Sequence, residues 1–123
     1  MSQALNLNTI LAQAGVKTDA TTGALTTPLH FSTTYQHPEF GQSTGYDYTR
    51  TKNPTRVSLE ETLAAIESAD YALATSSGMS AIVLAFGAFP VGSKVLAVRD
   101  LYGGSFRWFA QAEAEGVFRQ LKR

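Results

Sequence analysis

Residues 71–121 read YALATSSGMSAIVLAFGAFPVGSKVLAVRDLYGGSFRWFAQAEAEGVFRQL, and the order of patterns in this stretch decides the fold. Tyr71–Thr75 has the pattern of a short strand. Ser76-Ser77-Gly78-Met79-Ser80 then opens an almost wholly apolar helix over residues 81–89, and Pro90-Val91-Gly92 is a turn. Lys94-Val95-Leu96-Ala97-Val98 is a buried-type strand. Tyr102-Gly103-Gly104 leads into a helix over about residues 105–115, and Val117–Leu121 is a third strand. Strand, helix, strand, helix, strand at this spacing predicts parallel βαβ units with right-handed crossovers. The expected class is α/β, with a mostly parallel sheet.

Upstream, the chain changes character at Asn53-Pro54. Asn53 can cap a helix and Pro54 suits its first position, while Ser58-Leu59-Glu60-Glu61 also fits a capping box. Leu59, Leu63 and Ile66 form one apolar face of that helix, with Glu60, Glu61 and Glu67 elsewhere. From Val16 to Pro54 no periodicity holds. Threonines cluster there, and Gly23, Pro28, Pro38, Gly41 and Gly45 interrupt the stretch. So long a loop without structure is uncommon inside a compact domain, so a functional arm or a segment ordered by another chain is expected. Phe31, Tyr35, Phe40, Tyr46 and Tyr48 are too aromatic for a solvated linker. Before the arm, Leu5, Ile10, Leu11 and Ala14 recur at helical spacing, closed by Gly15.

The composition narrows the function. The 123 residues carry 10 Lys+Arg against 10 Asp+Glu, with 44% hydrophobic and 16% charged residues, which suits a globular chain. Zero net charge argues against a nucleic-acid module. With no cysteine there is no disulfide framework and no catalytic thiol, and His30 and His37 alone leave little for a metal centre. The N-terminus lacks the pattern of a signal peptide, and the longest apolar run, residues 81–89, is too short for a bilayer. A soluble, cytoplasmic protein without a membrane or nucleic-acid partner is expected.

Three places could carry chemistry. At Ser76-Ser77-Gly78-Met79-Ser80, free N–H groups at a helix start attract a phosphate or carboxylate, although Ser77 could also serve as a plain cap. The spacing is neither GxGxxG nor GxxxxGK[ST]. In Tyr46-Asp47-Tyr48-Thr49-Arg50-Thr51-Lys52-Asn53-Pro54-Thr55-Arg56, dense in phenols and cations, extended backbone would place Tyr48 and Arg50 on one side, a phenol and a guanidinium suited to an oxyanion. An exposed basic loop is the plainer alternative, and such a patch could also hold a single strand. At Asp100-Leu101-Tyr102-Gly103-Gly104, beyond the carboxyl end of a parallel strand, Tyr102 could stack on a flat heterocycle or simply cap the core.

Together these segments, with Pro28-Leu29-His30-Phe31-Ser32-Thr33-Thr34-Tyr35 and Asn53-Pro54-Thr55, resemble the pyridoxal-phosphate enzymes of cysteine and methionine metabolism. That family includes cystathionine γ-synthase, cystathionine β- and γ-lyases, methionine γ-lyase and the O-acylhomoserine sulfhydrylases. The resemblance implies the start of a fold-type-I large domain (αβα) preceded by an extended arm, with residues 1–55 as helix and arm and 56–123 as the beginning of the domain. It implies pyridoxal 5′-phosphate as cofactor, an amino-acid substrate and a homo-oligomer. Tyr48 and Arg50 would serve the phosphate of a neighbouring subunit, and so would lie apart from the Gly78 turn of their own chain. Gly78 and Met79 would bind the phosphate within the subunit, and Tyr102 would stack on the ring and act in proton transfer. No metal site is implied.

The chemistry also needs a lysine for the Schiff base. None of Lys17, Lys52, Lys94 and Lys122 stands in the family's Ser-x-Thr-Lys context. The expectation is therefore an N-terminal portion, inactive alone, of an enzyme of β/γ-elimination or γ-replacement; the motifs do not separate lyase, synthase and sulfhydrylase. An incompletely folded remnant and a small phosphate- or single-strand-binding module are the alternatives.

Overall fold

A computed structural model describes residues 6–16 and 18–122; Leu5 and Lys17 lie outside the described residues. The elements in order are α1 (Leu7–Ala12), α2 (Pro54–Ile66), α3 (Gly78–Gly87), β1 (Ser93–Ala97), α4 (Gly103–Ala114) and β2 (Phe118–Lys122). The chain divides after Ala74 into two compact units.

In the first unit, α2 begins where its sequence says it should. Asn53 is extended, and its Oδ1 accepts from the amides of Thr55 (2.9 Å) and Arg56 (3.4 Å), satisfying two of the helix's open donors. Ser58 is inside this helix and buried, so the capping box at residues 58–61 starts nothing. The Asn-Pro signal one turn earlier wins, and the Ser58 hydroxyl instead meets Thr27 Oγ1 at 3.2 Å.

The arm is fastened to α2 by polar contacts. The Thr27 amide and hydroxyl both donate to the Gly15 carbonyl, at 2.9 and 2.6 Å. Thr55 Oγ1 accepts the His30 amide (2.9 Å) and donates to the Pro28 carbonyl (3.2 Å), while Asn53 Nδ2 donates to the His30 carbonyl (3.0 Å). Antiparallel bridges join Val16 to Thr26 and Thr34 to Tyr48. The expectation that another chain would order this segment is thus corrected in part: its own helix supplies the anchors. Apolar packing does not, since Leu29, Phe31 and Phe40 are exposed.

The end of α2 is closed by a residue in an unusual conformation. Ser68 has φ +52°, and the amides of Ser68 and Ala69 return to the carbonyls of Ala65 (3.4 Å) and Ala64 (2.9 Å). That is a Schellman closure, with serine where glycine is the ordinary choice. Beyond it, the strand expected at residues 71–75 is not formed. A strand exists only through a neighbour, and the sheet among the described residues consists of β1 and β2 alone. The segment is held otherwise, the Ala74 amide donating to Glu60 Oε1 at 2.9 Å.

The second unit has the anticipated α/β character. β1 and β2 are parallel, from Ser93 opposite Phe118 to Ala97 opposite Lys122, with α4 as the crossover. Gly116 (φ +74°) lets α4 turn into β2: its amide bonds the Glu113 carbonyl, and that of Val117 bonds the Ala112 carbonyl. The core is Val95, Phe109, Ala112 and Phe118, with Phe86, Leu101, Trp108 and Val117 packed against it. Phe86 is its hub, edge-on to Phe109 at 5.0 Å and to Phe118 at 5.6 Å. Phe86 is covered in this way because α4 brings Trp108 and Phe109 to it and β2 brings Phe118. Leu84 (48%), Phe89 (57%), Leu96 (64%) and Val98 (69%) do remain exposed. Among the described residues no helix is long and apolar enough to cross a membrane, and no group of side chains could hold a metal ion.

Two outcomes follow from this packing. Ser68→Gly should raise stability by roughly 0.5–1 kcal/mol, because the left-handed conformation penalises any Cβ by more than glycine's extra unfolded-state entropy. A denaturant midpoint that stays or falls would show that the Ser68 side chain contributes something of its own. The exposed apolar residues beside an unpaired parallel pair should make the 123-residue chain self-associate or bind a hydrophobic-surface dye. A monodisperse monomer on size exclusion, with a steep cooperative melt, would contradict this.

Candidate functional site

In the second unit the starts of α3 and α4 come together. Ser77 is extended and its Oγ accepts the Ser80 amide at 3.1 Å, so the cap reading is correct as far as it goes. The cap takes only that one donor. The amides of Gly78 and Met79 stand at the open end of the helix, where no intrahelical carbonyl can reach them. A Cβ built on Gly78 would meet nothing within 4 Å, so the backbone there can be approached closely.

Met79 points the other way. Its side chain is half-buried and its sulfur accepts from Ser105 Oγ in the first turn of α4, at 3.6 Å. This contact joins the two helix starts. α4 opens at Tyr102, which offers no side-chain cap, so its first amides are open as well. Two helix N-termini thus face the same neighbourhood, and each carries a partial positive charge.

Tyr102 stands beside them, 74% exposed, which removes the alternative that it caps the core. Its ring lies against Gly104: a Cβ there would come within 2.6 Å of Tyr102 Cε1 and 3.2 Å of Met79 Sδ. Glycine at position 104 is what lets the tyrosine lie down on the start of α4. The sequence analysis includes Gly104 in the Asp100–Gly104 segment without a role of its own and leaves out Ser105; the doubled glycine before a helix was the available signal.

Tyr48 and Arg50 belong to the first unit, and they do meet. The Arg50 guanidinium carbon is 5.1 Å from the Tyr48 ring centroid. The route differs from the extended one expected. The amides of Thr51 and Lys52 both return to the Tyr48 carbonyl at 3.0 Å, so the backbone is a turn, and period-two alternation is not what pairs the side chains. Lys52 is paired in the same way with Tyr46, at 5.2 Å. Arg56 stands behind the turn and donates to the carbonyls of Thr49 (3.5 Å), Arg50 (3.3 Å) and Thr51 (2.7 Å). The sequence places it among the cations of the Tyr46–Arg56 segment, but nothing local tells a helix cation that turns back onto backbone carbonyls from one open to an anion.

The arrangement is one of anion donors and an open aromatic face. Known proteins resemble this chain over most of its length. Residues 8–119 match the model of the family described as Cys/Met metabolism PLP-dependent enzyme. Cystathionine gamma-synthase of Haemophilus influenzae is 48% identical over 107 residues, 87% of this chain and 29% of that protein. Cystathionine gamma-lyase of Bacillus subtilis is 41% identical over 99 residues, covering 80% of this chain and 26% of the relative. The solved structure of cystathionine gamma synthase from Xanthomonas oryzae pv. oryzae, in complex with aminoacrylate and cysteine, superposes with a TM-score of 0.89 at 36% identity; the match covers 98% of this chain and 31% of that one. The chain therefore spans a little under a third of the length of the relatives it matches. It belongs to the family of Cys/Met-metabolism PLP-dependent enzymes.

Proposed function

We propose that this chain is the arm and the beginning of the large domain of an enzyme that uses pyridoxal 5′-phosphate for β/γ-elimination or γ-replacement on sulfur amino acids or O-acylhomoserine, in the cytoplasm. The observation that carries the reading is the meeting of two open helix starts beside an exposed tyrosine. Residues 1–55 are the N-terminal helix and arm. Residues 56–123 begin the cofactor domain, α2 being counted with it although it also anchors the arm.

The donor set fits the group. A phosphate ester needs several N–H donors converging from a backbone that allows close approach, and Gly78 and Met79 provide it. A pyridine ring needs an open flat face, and Tyr102 offers one. When bound, pyridoxal phosphate supplies an electron sink for bonds beside an amino acid's α-carbon. The chain's own part is to bind and orient. The amides at positions 78 and 79 would hold the phosphate, the Tyr102 ring would lie on the pyridine, and its phenol would hold or pass a proton. Tyr48 and Arg50 present a second phosphate-binding hand, which we assign to the site of a neighbouring subunit in a homo-oligomer. None of this chain's lysines stands in the family's Schiff-base context, so turnover by this chain alone is not expected.

A titration of the isotopically labelled chain with inorganic phosphate and with pyridoxal phosphate tests the reading. The amide signals of Gly78 and Met79 should move with both ligands, and Tyr102 ring signals with the second alone. Borohydride added to the second mixture should leave no stoichiometric adduct at a single lysine. Signals elsewhere moving, with those of residues 78, 79 and 102 still, would remove the proposal.

Gly104→Ala should weaken pyridoxal phosphate binding roughly tenfold, since the tyrosine must leave its place and one aligned stacking contact is worth about 1–3 kcal/mol. Inorganic phosphate should bind this variant as before. Equal weakening of both ligands would point to damage of the helix starts instead.

A further inference from the structure

The Tyr48–Arg50 pair has no rigid element of its own beneath it. Tyr48 ends an isolated bridge, and residues 49–51 form a turn exposed at Arg50 and Thr51. Beside the turn's own bonds to the Tyr48 carbonyl and the Asn53 side-chain amide on Thr49 Oγ1, a side chain from the first turn of α2 holds it. Arg56 reaches three consecutive carbonyls, those of Thr49, Arg50 and Thr51, with its two terminal nitrogens. Its Nε faces Glu60 Oε1, one helical turn further, at 3.6 Å. The same carboxylate oxygen accepts the Ala74 amide at 2.9 Å, which fixes it from the other side.

These contacts form a closed relay from residue 74 through Glu60 and Arg56 to the turn. Three carbonyls directed at one point repel each other unless a cation stands there. A guanidinium suits the place better than an ammonium, because its planar fork spreads five donors over several acceptors. Both partners are sheltered, with side chains only 31% and 18% exposed, so water competes less than at an open ion pair.

We propose that Arg56, steadied by Glu60, is the positioning residue of the phosphate-binding arm: by gathering the carbonyls of residues 49–51 it makes the turn that lays Arg50 over Tyr48. The phosphate half of this statement rests on the reading given above; the geometric half does not. Arg56 itself is spent on backbone carbonyls and Glu60, and acts only through the pair it sets.

The test uses the 123-residue chain and magnetic resonance. While Arg50 lies over Tyr48, the ring displaces its methylene protons upfield, a signature that loss of packing elsewhere does not touch. In Arg56→Gln the displacement should vanish, and with it the exchange protection of the Thr51 and Lys52 amides. Inorganic phosphate should then bind at Arg50 roughly tenfold more weakly. Arg56→Lys keeps the charge without the fork, and should restore neither the ring displacement nor the affinity. Protection of helix amides around Ala64 reports that the unit is still folded. If both Arg56 variants unfold, Glu60→Gln leaves the guanidinium in place and should give a partial loss of the displacement. An undiminished ring displacement in the folded variants, or full phosphate affinity in Arg56→Lys, overturns the proposal. A wild-type chain that shows the displacement but binds no phosphate at Arg50 defeats the phosphate reading, and the positioning role is then decided by the displacement alone.

Discussion

The first unit depends on the amide of Asn53. Its oxygen closes the start of α2 and its nitrogen donates to the His30 carbonyl and, at 2.6 Å, to Thr49 Oγ1. One side chain therefore ends the aperiodic arm, begins the regular helix and ties two parts of the arm together. No other residue type can do this. Aspartate would keep the cap but could not donate, and serine would keep the cap but could not span both directions. Thr55 and Arg56, the next residues with side chains that can hydrogen-bond, extend the same function by taking up Pro28, His30 and the 49–51 turn. The arm is thereby ordered without a buried hydrophobic core, which is why Phe31 and Phe40 can remain at the surface.

Where local chemistry was strong, the sequence was readable. Asn53-Pro54 and Ser77-Gly78 mark helix starts by capping chemistry that acts within a few residues, and α2 and α3 begin there. β1, α4 and β2 follow from apolar runs divided by glycine, each within a residue or two of its expected bounds. Where structure depended on a distant partner, reading failed. Residues 71–75 have a strand's composition, but composition cannot supply the neighbour that makes a ladder. The turn at residues 48–52 reads as extended, because the Asn53 and Arg56 side chains bonded to it belong to the helix start that follows. Ser58 carries a capping signal that the Asn-Pro start overrules.

The candidate site was legible in part for the same reason. A helix N-terminus after a strand-like segment is a local feature, so Gly78 and Met79 could be picked out as donors. The inward turn of Met79 toward Ser105, and the place of Tyr102 above Gly104, depend on two helices meeting. No spacing along the chain announces that meeting. The resemblance to known enzymes supplied Tyr102 where residue chemistry left its role open between stacking and capping the core.

The single crossover between β1 and β2 also bears on how the molecule acquires its shape. Every partner in that ladder is separated from its mate by one helix and two short turns, so little chain entropy is lost when the loop closes. The aromatic cluster around Phe86 lies within the same stretch. Such a unit gathers its contacts within one continuous stretch of chain. The arm has the opposite character: its anchors at Asn53, Thr55 and Arg56 come after it in the chain, and its bonds to them release no large apolar area. During synthesis the arm must wait, unfolded, until α2 has formed. Held by hydrogen bonds rather than by a buried apolar core, the arm that carries the Tyr48–Arg50 hand is expected to open more readily than the packed aromatic cluster.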